Sequence, residues 1–67
     1  MKNIENYKIY NIIIYNNNYQ TIAKLYTQTM FDKYINENPD TNADNIQING
    51  FGFLGFDKID KFFNLNN

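Results

Sequence analysis

The sequence predicts a small α+β domain with the element order β-α-β-β-α and a sheet covered on one face by the helices. The chain has 67 residues, of which 43% are apolar, and this is the size and composition of one globular domain. A segment rich in Ile and Tyr precedes a helical pattern, and an Asn-Gly pair then separates two short apolar runs. We therefore expect a single domain over residues 1–67.

The first strand is predicted over Tyr7–Tyr15. This segment is rich in β-branched and aromatic residues, which favour strands, and Asn residues bound it on both sides. Its apolar side chains fall on both faces, which is typical of a central strand or of one covered on two sides.

A long helix is predicted from an N-cap at Asn18 to about Asn36, ending before Pro39. The helical repeat places six residues on one stripe, which we expect to face the core: Tyr19, Ile22, Ala23, Tyr26, Met30 and Tyr34. Phe31 and Ile35 fall on the opposite side of this helix. They either pack under a second element or contribute to a binding surface.

A hairpin is predicted after a polar loop over Asn38–Asn45. Asn49 and Gly50 supply the two positive φ angles that a type I′ turn requires. The two-residue turn pairs Ile48 with Phe51, and it pairs Ile46 with Phe53. All four side chains are then expected on one face.

The chain is expected to end in a short helix capped by Asp57, with Ile59, Phe62 and Phe63 at spacings of three and four residues. Asp57 and Asp60 form a carboxylate pair on this helix. Because Asp near a helix N-terminus is stabilised by the helix dipole alone, we assign the pair a structural role.

The composition excludes most familiar enzyme chemistry. His, Cys, Ser, Trp and Arg are all absent. Their absence removes imidazole bases, thiol and serine nucleophiles, His/Cys zinc sites and disulfides. We predict a protein that is not an enzyme and that holds no cofactor or metal. No run approaches the roughly 18 apolar residues of a membrane span, and no signal-peptide pattern is present, so we expect a cytoplasmic location.

Two motifs resemble ligand-binding loops. Gly50–Gly55 matches G-x-G-x-x-G, but only twelve residues follow it, too few for the rest of a dinucleotide-binding unit. Asp40–Asn45 places oxygen ligands at positions 1, 3 and 5 of a calcium loop, but Phe51 stands at position 12, where a Glu should close the site. We expect a polar turn there, with weak calcium binding at most.

Asn49–Phe56 resembles the ribonucleoprotein octapeptide of the RNA-recognition-motif family at seven of eight positions. The resemblance implies a strand on which Phe51 and Phe53 stack on bases of single-stranded RNA. Asn49 stands where the family has Lys or Arg. The six Lys are scattered among seven acidic residues and show no basic groove, so RNA binding is the alternative function.

The function that we predict is protein binding. Six Tyr and six Phe make up 18% of the chain, which is more than a minimal core needs, and aromatic residues dominate protein interfaces. The predicted partner-binding residues are Phe31, Ile35, Phe51, Phe53 and Phe56. A small core without disulfides also gains from self-association, so we expect a homodimer.

The prevalence of Asn, Ile, Tyr, Phe and Lys indicates an A/T-rich genome, since their codons are A/T-rich. Together with the small size, this suggests a phage or mobile-element protein that inhibits a host protein, such as an enzyme acting on nucleic acid. A structural subunit of a larger complex is the second alternative.

Overall fold

The computed structural model describes residues 8–66, which form four strands and two helices. The elements are β1 (Ile12–Tyr15), β2 (Thr21–Leu25), α1 (Gln28–Glu37), a 3-10 turn (Ala43–Asn45), β3 (Ile46–Ile48), β4 (Phe51–Gly52) and α2 (Phe56–Asn66). The predicted α+β class is confirmed. The observed order is β-β-α-β-β-α, so the predicted order lacked one strand.

The additional strand is β2, which occupies part of the segment predicted as the start of the long helix. It pairs antiparallel with β1, which places Leu25 opposite Ile12 in the core. Pairing with a distant strand therefore outweighs the local helical pattern. The helix α1 begins only at Gln28, where the Thr27 hydroxyl oxygen caps it by accepting a hydrogen bond from the Met30 N–H at 3.1 Å.

The predicted core stripe of the long helix is wrong for most of its members. Tyr19, Ile22, Tyr26 and Met30 are exposed, whereas Ala23 and Tyr34 pack against the core. The helical phase cannot continue from Tyr19 to Tyr34, because the chain is extended until Leu25. On the true helix, Phe31 faces the core instead, with 4% of its surface exposed.

The sheet is antiparallel, with the strand order β2-β1-β3-β4. At its centre, Ile12 lies opposite Ile48 and Ile14 opposite Ile46. These four side chains share one face, on which both helices pack as predicted. The buried cluster consists of Tyr10, Ile12, Ile14, Leu25, Phe31, Ala43, Ile46, Ile48, Ile59 and Phe63.

The predicted first strand is longer than the observed one. Its first residue, Tyr7, lies outside the described residues, and β1 begins at Ile12. Within β1, apolar side chains fall on both faces as predicted, because Ile12 and Ile14 are buried while Ile13 and Tyr15 are half-buried on the other face.

The predicted hairpin turn at Asn49 and Gly50 is confirmed by their φ angles of 53° and 85°. Ile48 lies opposite Phe51 as predicted. The strand β4 ends at Gly52, so the predicted ladder pair of Ile46 with Phe53 is not formed. Phe51 does not join the core either, since 63% of its surface is exposed at the edge of the sheet.

The last helix, α2, begins at Phe56, one residue before the predicted cap. Asp57 therefore lies in the first helical turn, where its carboxylate still faces the positive end of the helix dipole. The predicted apolar face is confirmed. Ile59 and Phe63 are buried, and Phe62 is half-buried against the core.

Candidate functional site

The candidate site lies around residues 16–20, which connect β1 to β2 and are called here the Tyr19 turn. Asn16 closes this turn. Its side-chain oxygen Oδ1 accepts hydrogen bonds from the backbone N–H groups of Asn18 at 2.8 Å and Gln20 at 3.0 Å. Its Nδ2 donates to Gln20 Oε1 at 2.9 Å. One side chain thus holds both halves of the turn.

Tyr19 has an unusual backbone conformation within this turn. Its φ angle is 62°, in the left-handed region, and 86% of its surface is exposed. A bulky residue rarely adopts this conformation, because its Cβ crowds the following carbonyl oxygen. A strained backbone that presents an aromatic ring to solvent is a feature that concentrates at functional sites.

Tyr19 borders a groove of about 270 Å³, called here the sheet groove. Tyr15 and Gln47 line it from the sheet face opposite the helices, since they alternate with buried Ile14 and Ile46. The Tyr15 hydroxyl donates to Gln47 Oε1 at 3.3 Å, which links β1 to β3 across this face. The groove is lined by Tyr15, Tyr19, Asp44, Asn45, Ile46, Gln47 and Gly52.

A larger cavity of about 470 Å³ also borders the Tyr19 turn and is called here the α1 cavity. It lies between β1 and the C-terminal end of α1. Ile22, Tyr34 and Pro39 contribute apolar surface, and Glu37 and Asp40 contribute carboxylates. Its other lining residues are Ile14, Tyr15, Asn16, Asn17, Asn38, Thr41, Asn42 and Asn45.

The two cavities are acidic. Glu37 and Asp40 line the α1 cavity and Asp44 lines the sheet groove, while no Lys among residues 8–66 lines either of them. The helix α1 adds to this charge, because the C-terminal end of a helix carries partial negative charge and no basic residue lies in the last turn of α1. The Lys residues within 8–66 lie elsewhere in the chain: Lys8, Lys24, Lys33, Lys58 and Lys61.

The residues predicted to bind a partner have different positions in the fold. Phe31 belongs to the core and its ring centroid lies 5.4 Å from that of Phe63, so it packs under a second element, which is one of the two expected alternatives. Three others, Ile35, Phe53 and Phe56, are half-buried and pack against the core. Phe51 alone among the five predicted residues is mainly exposed, at 63%. The predicted roles of these four residues stay predictions.

The segment that resembles the RNA-binding octapeptide comprises the hairpin turn, the edge strand β4, the connecting residues 53–55 and the first residue of α2. Phe51 is exposed on β4, but the Phe53 ring packs on Phe62 with the centroids 5.5 Å apart. The segment thus does not form one continuous strand, and the rings of Phe51 and Phe53 do not share an open surface.

The calcium-like loop contains the 3-10 turn over Ala43–Asn45. Asn45 Nδ2 donates to Asn17 Oδ1 at 3.1 Å, which ties this loop to the Tyr19 turn. Within residues 8–66, no three His, Cys, Asp or Glu side chains come together as a metal site would require. In the same part of the chain, neither helix has the length and apolar character needed to cross a bilayer.

Sequence reasoning missed Tyr15, Tyr19 and Gln47 as site residues. A signal was present in the three consecutive Asn residues 16–18, since Asn favours turns and tolerates left-handed backbone. Recognising a turn there would have separated β1 from β2 and placed Tyr19 at a hairpin tip.

What the protein does has to be inferred from the chemistry of these cavities, because a fold alone does not specify function. No protein-family model matches this chain, and neither a curated protein nor a solved structure is significantly similar to it.

Proposed function

We propose that the protein is a non-enzymatic binding module that occupies the surface of another protein through the Tyr19 turn and the sheet groove. The observation that carries this proposal is Tyr19 itself, which is 86% exposed in a strained, hydrogen-bonded turn. Tyr is among the residues that contribute most to protein interfaces. A rigid turn also reduces the entropy lost on binding.

The charge of the site favours a protein partner over RNA. Single-strand binders combine aromatic rings with basic grooves that follow the phosphate backbone. Among the described residues, those that line the sheet groove include two Tyr and one Asp but no Lys. Acidic surfaces complement basic protein surfaces and repel phosphates.

The location of the site also fits binding by a face of the sheet rather than by strand addition. Ile22 is an extra residue in β2, between the pairs formed by Thr21 and Ala23, and Lys24 lies in the same edge strand. Bulges and Lys residues discourage pairing with further strands. The other edge strand, β4, has only two residues.

The biological setting that we propose is a cytoplasmic inhibitor encoded by a phage or mobile element. The prevalence of amino acids whose codons are A/T-rich supports this setting, as does the small size. A host enzyme that acts on nucleic acid is a suitable target, because such enzymes present basic surfaces to phosphates. An acidic binding site would complement those surfaces.

Replacing Tyr19 tests the proposal. Asn tolerates the left-handed region, so Tyr19→Asn should leave the Tm unchanged or slightly higher while removing the ring. We expect the tagged wild-type chain to capture a stoichiometric protein from host extract. With that protein purified, Tyr19→Asn should weaken the calorimetric Kd about 30-fold, the effect of a 2 kcal/mol hot spot.

Leu65→Asn is the matched control. Leu65 is 84% exposed in the last turn of α2 and lines neither cavity. Its replacement should leave the Kd unchanged. Equal affinity of the Tyr19→Asn variant and the wild type would contradict the proposal, as would an equal loss in the Leu65→Asn control.

A further inference from the structure

We propose that Asn49 is a self-modification site, at which the backbone nitrogen of Gly50 displaces the side-chain amide and which the folded turn holds in an unreactive state. The site does not depend on the proposed protein-binding function. Asn49 is the only one of the fourteen Asn residues that precedes a Gly. Because Gly has no Cβ, its nitrogen is the least hindered nucleophile that the backbone offers. Both residues are exposed, so water reaches them.

The reaction has two steps. First, the Gly50 nitrogen loses its proton to solvent base and bonds to Cγ of Asn49, and the Cγ–Nδ2 bond breaks. Nδ2 takes up a proton from solvent and leaves as ammonia, so that a succinimide ring remains. Second, one water adds across a ring C–N bond, with its hydroxyl on the carbonyl carbon and its hydrogen on the Gly50 nitrogen. The product is aspartate or, where the main-chain bond is cut, isoaspartate, which lengthens the backbone of the turn.

The conformation of the turn decides whether the ring can close. Asn49 and Gly50 have φ angles of 53° and 85°, as in a type I′ turn, whose first central residue has a ψ of about 30°. At that ψ, the Gly50 nitrogen and the Asn49 Cβ lie on opposite sides of the Cα–C bond of Asn49. The ring requires both on the same side, so the observed turn prevents the attack.

A flip of the peptide between Asn49 and Gly50 would make the turn reactive. A type II′ turn has the same φ at its first central residue but a ψ of about −120°, which brings the nitrogen to the side of Cβ. Two-residue hairpins use both turn types, so the pairing of β3 with β4 tolerates the change. Gly50 can reverse the sign of its φ without steric cost.

Two hydrogen bonds to Asn11 oppose the reaction. The Asn11 N–H donates to Asn49 Oδ1 at 2.9 Å, and the Asn11 carbonyl oxygen accepts from the Asn49 N–H at 2.8 Å. Ring closure turns the Asn49 side chain out of its staggered position and toward Gly50, so it has to break the first of these bonds. The segment before β1 thus protects Asn49 through its backbone.

Mass spectrometry of the full chain at mildly alkaline pH measures the reaction. Peptide mapping locates the gain in mass, and electron-transfer fragmentation separates isoaspartate from aspartate. In guanidinium chloride, we expect Asn49 to react before the other Asn residues, and Gly50→Ala to slow it about tenfold because a Cβ hinders the nitrogen. In native buffer, the wild type should react at least about tenfold more slowly than in the denaturant, since the attack awaits local opening.

Two variants at residue 11 assign the protection to its N–H. Asn11→Pro removes this donor and should speed the native reaction several-fold. Asn11→Ala keeps the N–H and should react as the wild type does. Ile14→Val, which loosens the core away from the turn, controls for lower stability in general and should stay near the wild-type rate. Circular dichroism shows whether each variant is folded.

Several results would overturn the site: equal rates for the wild type in native buffer and denaturant, another Asn that reacts first in the denaturant, or equal native rates for Asn11→Pro and Asn11→Ala. The wild-type comparison decides even if Asn11→Pro does not fold. The purified isoaspartate form should have a lower Tm than the unreacted chain, because the longer backbone no longer fits a two-residue turn. An unchanged Tm would contradict the role of the turn.

Discussion

At the scale of single residues, the fold opposes the ionisation of Asp32 in α1. Partial burial, and secondarily the negative charge of Asp60 in α2, raise the pKa of the Asp32 carboxyl above its ordinary value. The folded chain then binds this proton more tightly than the unfolded chain does. The contribution to stability therefore falls as the pH rises from the ordinary pKa through the raised pKa.

We expect Asp32→Asn to raise the Tm by roughly 1–4 °C at pH 7, since an exposed charge interaction is worth less than about 1 kcal/mol. The gain should disappear near pH 3, where Asp32 is protonated in both states. Thermal unfolding followed by circular dichroism at the two pH values measures this difference. Asp60→Asn should act in the same direction but less, and a gain from Asp32→Asn that is equal at both pH values would refute the explanation.

Which side chains are buried and which are exposed was hard to predict from the sequence at the candidate site. Phe31 was expected on a binding surface or under a second element, and it is in the core, whereas Tyr19 was expected in the core and is exposed. Only the expectation for Tyr19 was wrong, since Phe31 does pack under a second element, α2. The direction in which a side chain points depends on whether its residue lies in a helix or a strand. The predicted helix starts after Asn18, whereas the observed helix α1 starts at Gln28.

At the scale of elements, the β3–β4 hairpin depends on the conformation of its turn. Asn49 accepts a hydrogen bond at Oδ1 from the Asn11 N–H at 2.9 Å, and its own N–H donates to the Asn11 carbonyl oxygen at 2.8 Å. The turn is thereby attached to the segment before β1. Gly50, with φ at 85°, completes it.

Gly50→Ala should destabilise the protein by about 1–2 kcal/mol, the cost of placing a Cβ in the left-handed region. Gly52→Ala is the matched control on the same hairpin. Gly52 does not have a positive φ, and a Cβ there would meet no atom within 4 Å, so its replacement should be neutral or slightly stabilising. Urea unfolding of the two variants measures the difference, and equal losses would show that the turn conformation is not the cause.

The start of α1 shows why element boundaries escape sequence analysis. Asn18 and Thr27 are both suitable N-cap residues. Only Thr27 caps the helix, because residues 21–25 form strand hydrogen bonds with β1 instead of helical ones. The choice between the two caps is thus made by a strand that lies earlier in the chain.

At the scale of the whole molecule, Phe63 of α2 joins three parts of the chain. Its ring lies 5.1 Å from Tyr10, 5.4 Å from Phe31 and 5.9 Å from Phe62, measured between centroids. Only 1% of its surface is exposed. The N-terminal segment, α1 and α2 thus share one packed group of rings.

We expect Phe63→Ala to cost about 3–5 kcal/mol, the usual effect of removing a buried Phe. Because a domain of this size has little stability to spare, the variant should be largely unfolded at 25 °C. Leu65→Ala, two residues later and 84% exposed, should stay within about 0.5 kcal/mol of the wild type. Near-native circular dichroism and an unchanged urea midpoint for Phe63→Ala would contradict this role.

The sequence by itself determined the α+β class, the turn at Asn49 and Gly50, and the buried face of α2. These features depend on backbone preferences and spacings within a few residues, which a single sequence displays. Only the tertiary structure decided that residues 21–25 are a strand, that Phe31 is buried and that Tyr19 is exposed. It also brought Tyr34 and Asp40 to one cavity with Asn16, because pairing and packing between distant segments, rather than local preference, set these positions.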